Sequence, residues 1–123
     1  MRYLTDRKRA VGKGASGTGT AHHWYMQISA VGLALMVPTF IYVFGSTLGS
    51  GYEEVIATFS RPLPAILTAL VLVVGLQHFR RGATIMIEDY TRKSTRKILV
   101  MTVIIFSYGL TATGLFALAK IAL

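Results

Sequence analysis

Residues 62–90 read PLPAILTALVLVVGLQHFRRGATIMIEDY. The first 18 of them, Pro62 to Phe79, carry no acidic or basic charge. That is long enough to cross a hydrocarbon core, which needs about 17–25 residues as a helix. The run then meets His78, Arg80, Arg81, Glu88 and Asp89, groups that are costly in lipid and that face a bundle interior or a cavity when a membrane helix carries them. Two further uncharged stretches flank it, Trp24–Leu48 of 25 residues and Ile98–Ala119 of 22. The expected fold is therefore an all-α membrane protein with three transmembrane helices at about 22–48, 62–89 and 96–120, preceded by a basic segment over 1–21.

Composition supports this reading. Of 123 residues, 53% are hydrophobic and 15% charged, with a mean hydropathy of +0.55; soluble domains carry about a quarter charged residues. Cysteine is absent, which excludes disulfides, iron–sulfur ligation and thiol chemistry from this chain. The net charge of +8 would suit nucleic acid, but the cations flank apolar runs instead of forming a basic soluble face. The head MRYLTDRKRAVGKG imitates a signal peptide. The apolar run after it exceeds the usual h-region and lacks a small-residue cleavage site, so it is expected to be a retained first helix.

Orientation follows from Lys and Arg, which accumulate on cytoplasmic flanks. The head holds Arg2, Arg7, Lys8, Arg9 and Lys13, and the second loop holds Arg92, Lys93, Arg96 and Lys97. The first loop, Gly45–Arg61, offers Arg61 against Glu53 and Glu54, and the tail offers Lys120. The N-terminus is thus expected in the cytoplasm and the C-terminus in the periplasm. GKGASGTGT, residues 12–20, is expected to be a flexible lead-in with Thr20 capping the first helix. Trp24 and Tyr25 suit an interfacial belt, Pro38 would kink the first helix, and Pro62 and Pro64 suit a first turn. Ser107, Gly109, Thr111, Thr113 and Gly114 would let the third helix approach a neighbour closely. Three helices leave much apolar surface, so a companion subunit within a larger bundle is expected.

From His78 to Asp89 is 11 residues, close to three turns at about 3.6 residues each, so both leave one helix face with Gly82 and Ile85 between them. They are about 16 Å apart along the axis, too far to act on one atom. Two sites fit that spacing better than one dyad. His78 is either a hydrogen-bonded histidine of the bundle interior or an axial ligand to a haem iron, with Gly82 leaving room for a flat macrocycle. Arg80 and Arg81 either snorkel to the headgroups or pair with haem propionates. Asp89 and Tyr90 are either an interfacial tyrosine beside a salt-bridged acid, or a phenol that donates to a carbonyl oxygen with an acid to order it or relay a proton.

Together these residues resemble a known family. His78, ten intervening residues, then Asp89 and Tyr90 is similar to the H-x10-D-Y signature of the hydrophobic membrane anchor (D) subunits of succinate dehydrogenase, respiratory complex II. HHWYMQISA, residues 22–30, resembles that family's H-x-W-L-Q-R-x-T-A stretch.

The resemblance implies that His78 is one axial ligand of haem b and its iron, the other histidine coming from the companion cytochrome b556 subunit. It implies that Tyr90 binds ubiquinone, that Asp89 supports that site, and that His22, with His23 as close a neighbour, lies by the haem propionates. The motif's arginine is replaced here by Gln27, so the propionate contact would pass to Arg81 or to a residue of the companion subunit.

The implied function is that of an anchor for the flavoprotein and iron–sulfur subunits in the bacterial inner membrane. It would contain no succinate-oxidising site of its own and would serve succinate:ubiquinone oxidoreduction in the tricarboxylic acid cycle and aerobic electron transport. The anchor of a quinol:fumarate reductase and a cofactor-free membrane assembly protein are the alternatives.

Overall fold

The computed structural model describes residues 3–12, 14 and 19–123. Among these described residues five helices follow one another: α1 (Asp6–Val11), α2 (Gly19–Gly45), α3 (Tyr52–Phe59), α4 (Pro62–Tyr90) and α5 (Lys93–Ala122). No strand occurs among the described residues. α2, α4 and α5 are each long and apolar enough to cross a membrane, the spans covering 26, 29 and 30 residues. A helix suits lipid because it satisfies every backbone group within its own segment. The side-chain hydroxyls follow the same logic. Those of Thr39, Thr68, Thr84, Thr102, Thr111 and Thr113 each donate to the carbonyl four residues back.

The helix bounds differ from the expected ones in physically informative ways. α2 begins earlier, so Thr20 lies inside it, and it runs unbroken past Pro38 to end at Gly45. Of the GKGASGTGT lead-in, residues 13 and 15–18 lie outside the described residues. The first loop contains α3, whose first turn carries Glu53 and Glu54, favourable at the positive end of a helix dipole. Phe59 at its end is buried and meets Phe44 of α2, with ring centroids 6.4 Å apart. Pro62 and Pro64 occupy the first turn of α4, where amides have no intrahelical partner to lose.

α4 is the central element: it packs against both α2 and α5, while α2 and α5 have no backbone approach to each other. The contact with α5 runs along Ser107, Thr111, Gly114 and Leu118, spaced 4, 3 and 4 residues apart on one face and all buried or half-buried. At Gly114 the two helices are so close that a Cβ would stand 3.0 Å from both Leu72 methyl carbons. Gly109 and Thr113 lie off this seam on the exposed side.

Among the described residues only Phe59, Ala65, Ile87 and Leu118 form a buried apolar core. Large apolar side chains such as Leu35, Ile41, Ile105, Phe106 and Phe116 are exposed. Lipid and further membrane helices are the surroundings such a surface requires.

α4 ends in a tight turn. The Thr91 amide and hydroxyl both donate to the Ile87 carbonyl. Arg96 of α5 reaches back to donate to the Thr91 carbonyl, at 2.9 and 3.0 Å, and to the Glu88 carbonyl at 2.7 Å. A cation thus satisfies carbonyls at the negative end of the α4 dipole.

Candidate functional site

The site is built on the contact between α2 and α4. On α2 the residues His22, Tyr25, Met26, Ser29, Gly32, Leu33 and Met36 are buried or half-buried. Their 3-and-4 spacing defines the face turned to α4. His23, Trp24 and Gln27 are exposed, off that face. The two adjacent histidines are therefore distinguished: His22 lies on the α4-facing stripe and His23 does not.

On α4 the matching stripe is Gly75, His78 and Gly82. A Cβ at Gly75 would meet Leu33 at 3.8 Å, and one at Gly82 would meet the tip of Met26 at 3.7 Å. Gly82 thus faces α2, and the expected clearance for a macrocycle is taken by a flexible methionine end. Two glycines flanking the histidine bring the helices close enough for a short side chain to span the gap. Ser29 Oγ lies 2.8 Å from His78 Nδ1.

Leu33 with Gly75, Ser29 with His78 and Met26 with Gly82 set an antiparallel register. Continued along the helices, it brings the first turn of α2 level with Asp89.

The two arginines part company. Arg81 lays its guanidinium over the Tyr25 ring of α2, 3.6 Å from the centroid. Arg80 turns the other way. It donates to Gln77 Oε1 at 2.8 and 3.1 Å and sits over Tyr108 of α5 at 5.2 Å. Both arginines are half-buried against neighbouring helices. Arg81, Tyr25 and His22 share one flank, with His22 one turn before Tyr25 on α2.

Asp89 and Tyr90 close α4 at the end where the basic residues gather. Both are exposed, Tyr90 to 86%. The alternative reading of Asp89 as a salt-bridged acid finds no partner among the described residues, where the one salt bridge is Arg9 to Asp6, at 3.8 Å. The helix is continuous from His78 to Tyr90, so the two parts of the candidate site keep their three-turn separation.

A groove of 850 Å³ opens elsewhere, between Thr39, Tyr42, Arg61, Pro62 and Leu67 at the opposite end of the helices. Its polar side chains are Thr39, Tyr42 and Arg61, and no histidine or carboxylate lines it. Among the described residues no cluster of three or more His, Cys, Asp or Glu side chains forms a metal site. A single histidine offering one nitrogen to a prosthetic group is a different donor set.

Sequence reasoning missed Ser29, Gln77 and Arg96. Ser29 carried one legible signal, a small polar residue on the helical stripe of His22 and Tyr25. The reach of Gln77 and Arg96 depends on rotamers and on the turn, which spacing does not encode.

A family model described as succinate dehydrogenase/fumarate reductase transmembrane subunit matches residues 1–113. The chain is 43% identical over 123 residues to a succinate dehydrogenase hydrophobic membrane anchor subunit of Paracoccus denitrificans, covering 100% of this chain and 95% of that one. No solved structure matches it.

Proposed function

The chain belongs to the family of succinate dehydrogenase/fumarate reductase transmembrane subunits, and from that premise we propose that it anchors a succinate:ubiquinone oxidoreductase, holds haem b through His78 and contributes Asp89 and Tyr90 to ubiquinone reduction. The observation that carries this reading is the α4 helix. It offers an imidazole whose Nε2 has no protein partner among the described residues, and a carboxylate–phenol pair at its aqueous end 11 residues later.

The residues fit a haem. Ser29 engages His78 at Nδ1, so the other ring nitrogen is left to coordinate. Arg81 and His22 lie on the same flank of the α2–α4 contact, where a guanidinium and an imidazole suit carboxylate groups. A bound haem supplies a one-electron redox centre. The second axial histidine belongs to the cytochrome b556 partner in this reading.

Ubiquinone takes up two electrons and two protons to become the quinol. The electrons originate in succinate oxidation by the flavoprotein and pass through the iron–sulfur subunit. Tyr90 donates its phenolic hydrogen bond to a quinone carbonyl, which favours the charge that develops on that oxygen. Asp89 stands beside it as a carboxylate open to water, with no ion pair among the described residues, suited to orient the phenol and pass protons inward. The exposure of Tyr90 fits a pocket whose other walls come from partner subunits.

The basic end of the bundle is the cytoplasmic one by the distribution of Lys and Arg, so the protons come from that side and the inner membrane is the site of action. The pathway is then the tricarboxylic acid cycle feeding aerobic electron transport.

The decisive experiment replaces each part of the site in the assembled complex. His78→Leu removes or alters the b-type haem spectrum, whereas Tyr90→Phe lowers quinone reductase activity and leaves haem content near normal. An unchanged spectrum in the first variant, or haem loss with full quinone turnover in the second, contradicts the assignment. Membranes with no haem band and no succinate:quinone activity favour a cofactor-free assembly protein. The fumarate-reducing direction is separated by which of the two activities the complex sustains.

A further inference from the structure

Ser29 is 6% exposed, and its hydroxyl makes three short contacts: Tyr25 O at 2.7 Å, Met26 O at 3.1 Å and His78 Nδ1 at 2.8 Å. A hydroxyl has one hydrogen and a carbonyl oxygen can only accept. An oxygen 2.7 Å from a carbonyl must direct that hydrogen at it, since two lone-pair oxygens do not sit so close otherwise. The hydrogen between Ser29 and His78 is therefore the imidazole's own. His78 donates from Nδ1–H to Ser29 Oγ, and the Nε2 lone pair is left free on the far side of the ring.

We propose that Ser29 is the positioning residue for His78: it holds the imidazole as the Nδ1–H tautomer, in one ring orientation, so that Nε2 is ready to coordinate the haem iron. This rests on the reading of His78 as a ligand. Histidines that bind metals usually donate their other N–H to an acceptor that fixes tautomer and orientation and raises ligand basicity. Here the acceptor is a neutral hydroxyl anchored to the backbone of α2, 49 positions away in sequence. The anchoring matters, because an acceptor already committed to Tyr25 O cannot turn to donate to Nδ1. The flanking glycines Gly75 and Gly82 give α2 the proximity this contact needs.

The test compares Ser29→Thr with Ser29→Val in the four-subunit complex. The two replacements have nearly the same shape, so packing effects cancel and the hydroxyl alone differs. Ser29→Thr should keep the wild-type haem spectrum and midpoint potential. Ser29→Val should weaken haem retention about 10- to 100-fold, the usual cost of losing such an acceptor. It should also move the midpoint potential to more positive values, because a less basic imidazole stabilises the oxidised iron less. Flavin content should not change.

Wild-type potential and retention in Ser29→Val would overturn the proposal, as would equal shifts in both variants. His78→Leu separates the premise from the inference. If it keeps the haem spectrum, His78 is no ligand; if it loses haem while Ser29→Val behaves as wild type, the positioning role alone fails.

Discussion

The guanidinium of Arg81 on α4 stands 3.6 Å from the centre of the Tyr25 ring on α2, whereas its neighbour Arg80 is turned to Gln77 and Tyr108. Consecutive residues thus tie the central helix to different partners. A half-buried cation over an aromatic face is worth about 1–2 kcal/mol. Arg81→Gln should loosen α2 from α4 by roughly that amount, and Tyr25→Leu by a similar amount. The double variant should be less than additive, as residues in direct contact are. Tyr25→Phe should cost little. Unfolding in mixed detergent, read as a double-mutant cycle, checks this, and full additivity would remove the contact from consideration.

The α4–α5 seam makes a second prediction. A Cβ at Gly114 would stand 3.0 Å from two Leu72 carbons, while one at Gly109 would meet nothing within 4 Å. Gly114→Ile should therefore force the helices apart and cost about 1–3 kcal/mol, as overpacking does. Gly109→Ile should leave the pair intact. The absence of native cysteine lets paired cysteines introduced on α4 and α5 report the spacing by cross-linking without background. Equal cross-linking in both variants would contradict the seam.

Ser107 is the most buried polar residue described, 1% exposed, and its hydroxyl has no hydrogen-bond partner among the described residues. Replacing a buried, unpaired hydroxyl by an apolar group of similar shape is close to neutral or stabilising. Ser107→Ala should change stability by less than about 0.5 kcal/mol, in either direction. A loss above about 2 kcal/mol, in the same detergent assay, would contradict this and show that the hydroxyl is hydrogen-bonded within the α4–α5 seam.

Arg96 closes the end of α4 by donating to the carbonyls of Glu88 and Thr91. It is exposed, so solvent screens its charge and the contribution is about 1 kcal/mol. Arg96→Gln should fray the last turn and raise amide exchange around Asp89 and Tyr90 about fivefold. The same variant should raise the KM for quinone more than it lowers kcat if Tyr90 is held in place by that turn. Unchanged exchange in the Ile87–Arg92 segment would show that the cap is dispensable.

The sequence alone determined the architecture, because in lipid an uncharged run of sufficient length has only one economical local structure. It also determined that His78 and Asp89 share a face, since that follows from a period and an uninterrupted helix. The short α3 was not legible: eight residues between two spans give too little pattern to separate a helix from a loop.

Tertiary structure decided what periodicity cannot encode, which is the neighbour each face meets. It set His22 on the stripe facing α4 and left His23 outside, and it divided Arg80 from Arg81. Of five small residues on α5 it placed Ser107, Thr111 and Gly114 on the seam. It also brought Ser29 to His78 across 49 positions of chain. That contact exists only because two glycines on α4 let α2 come close, a distance set by packing between helices and not by the residues of either one.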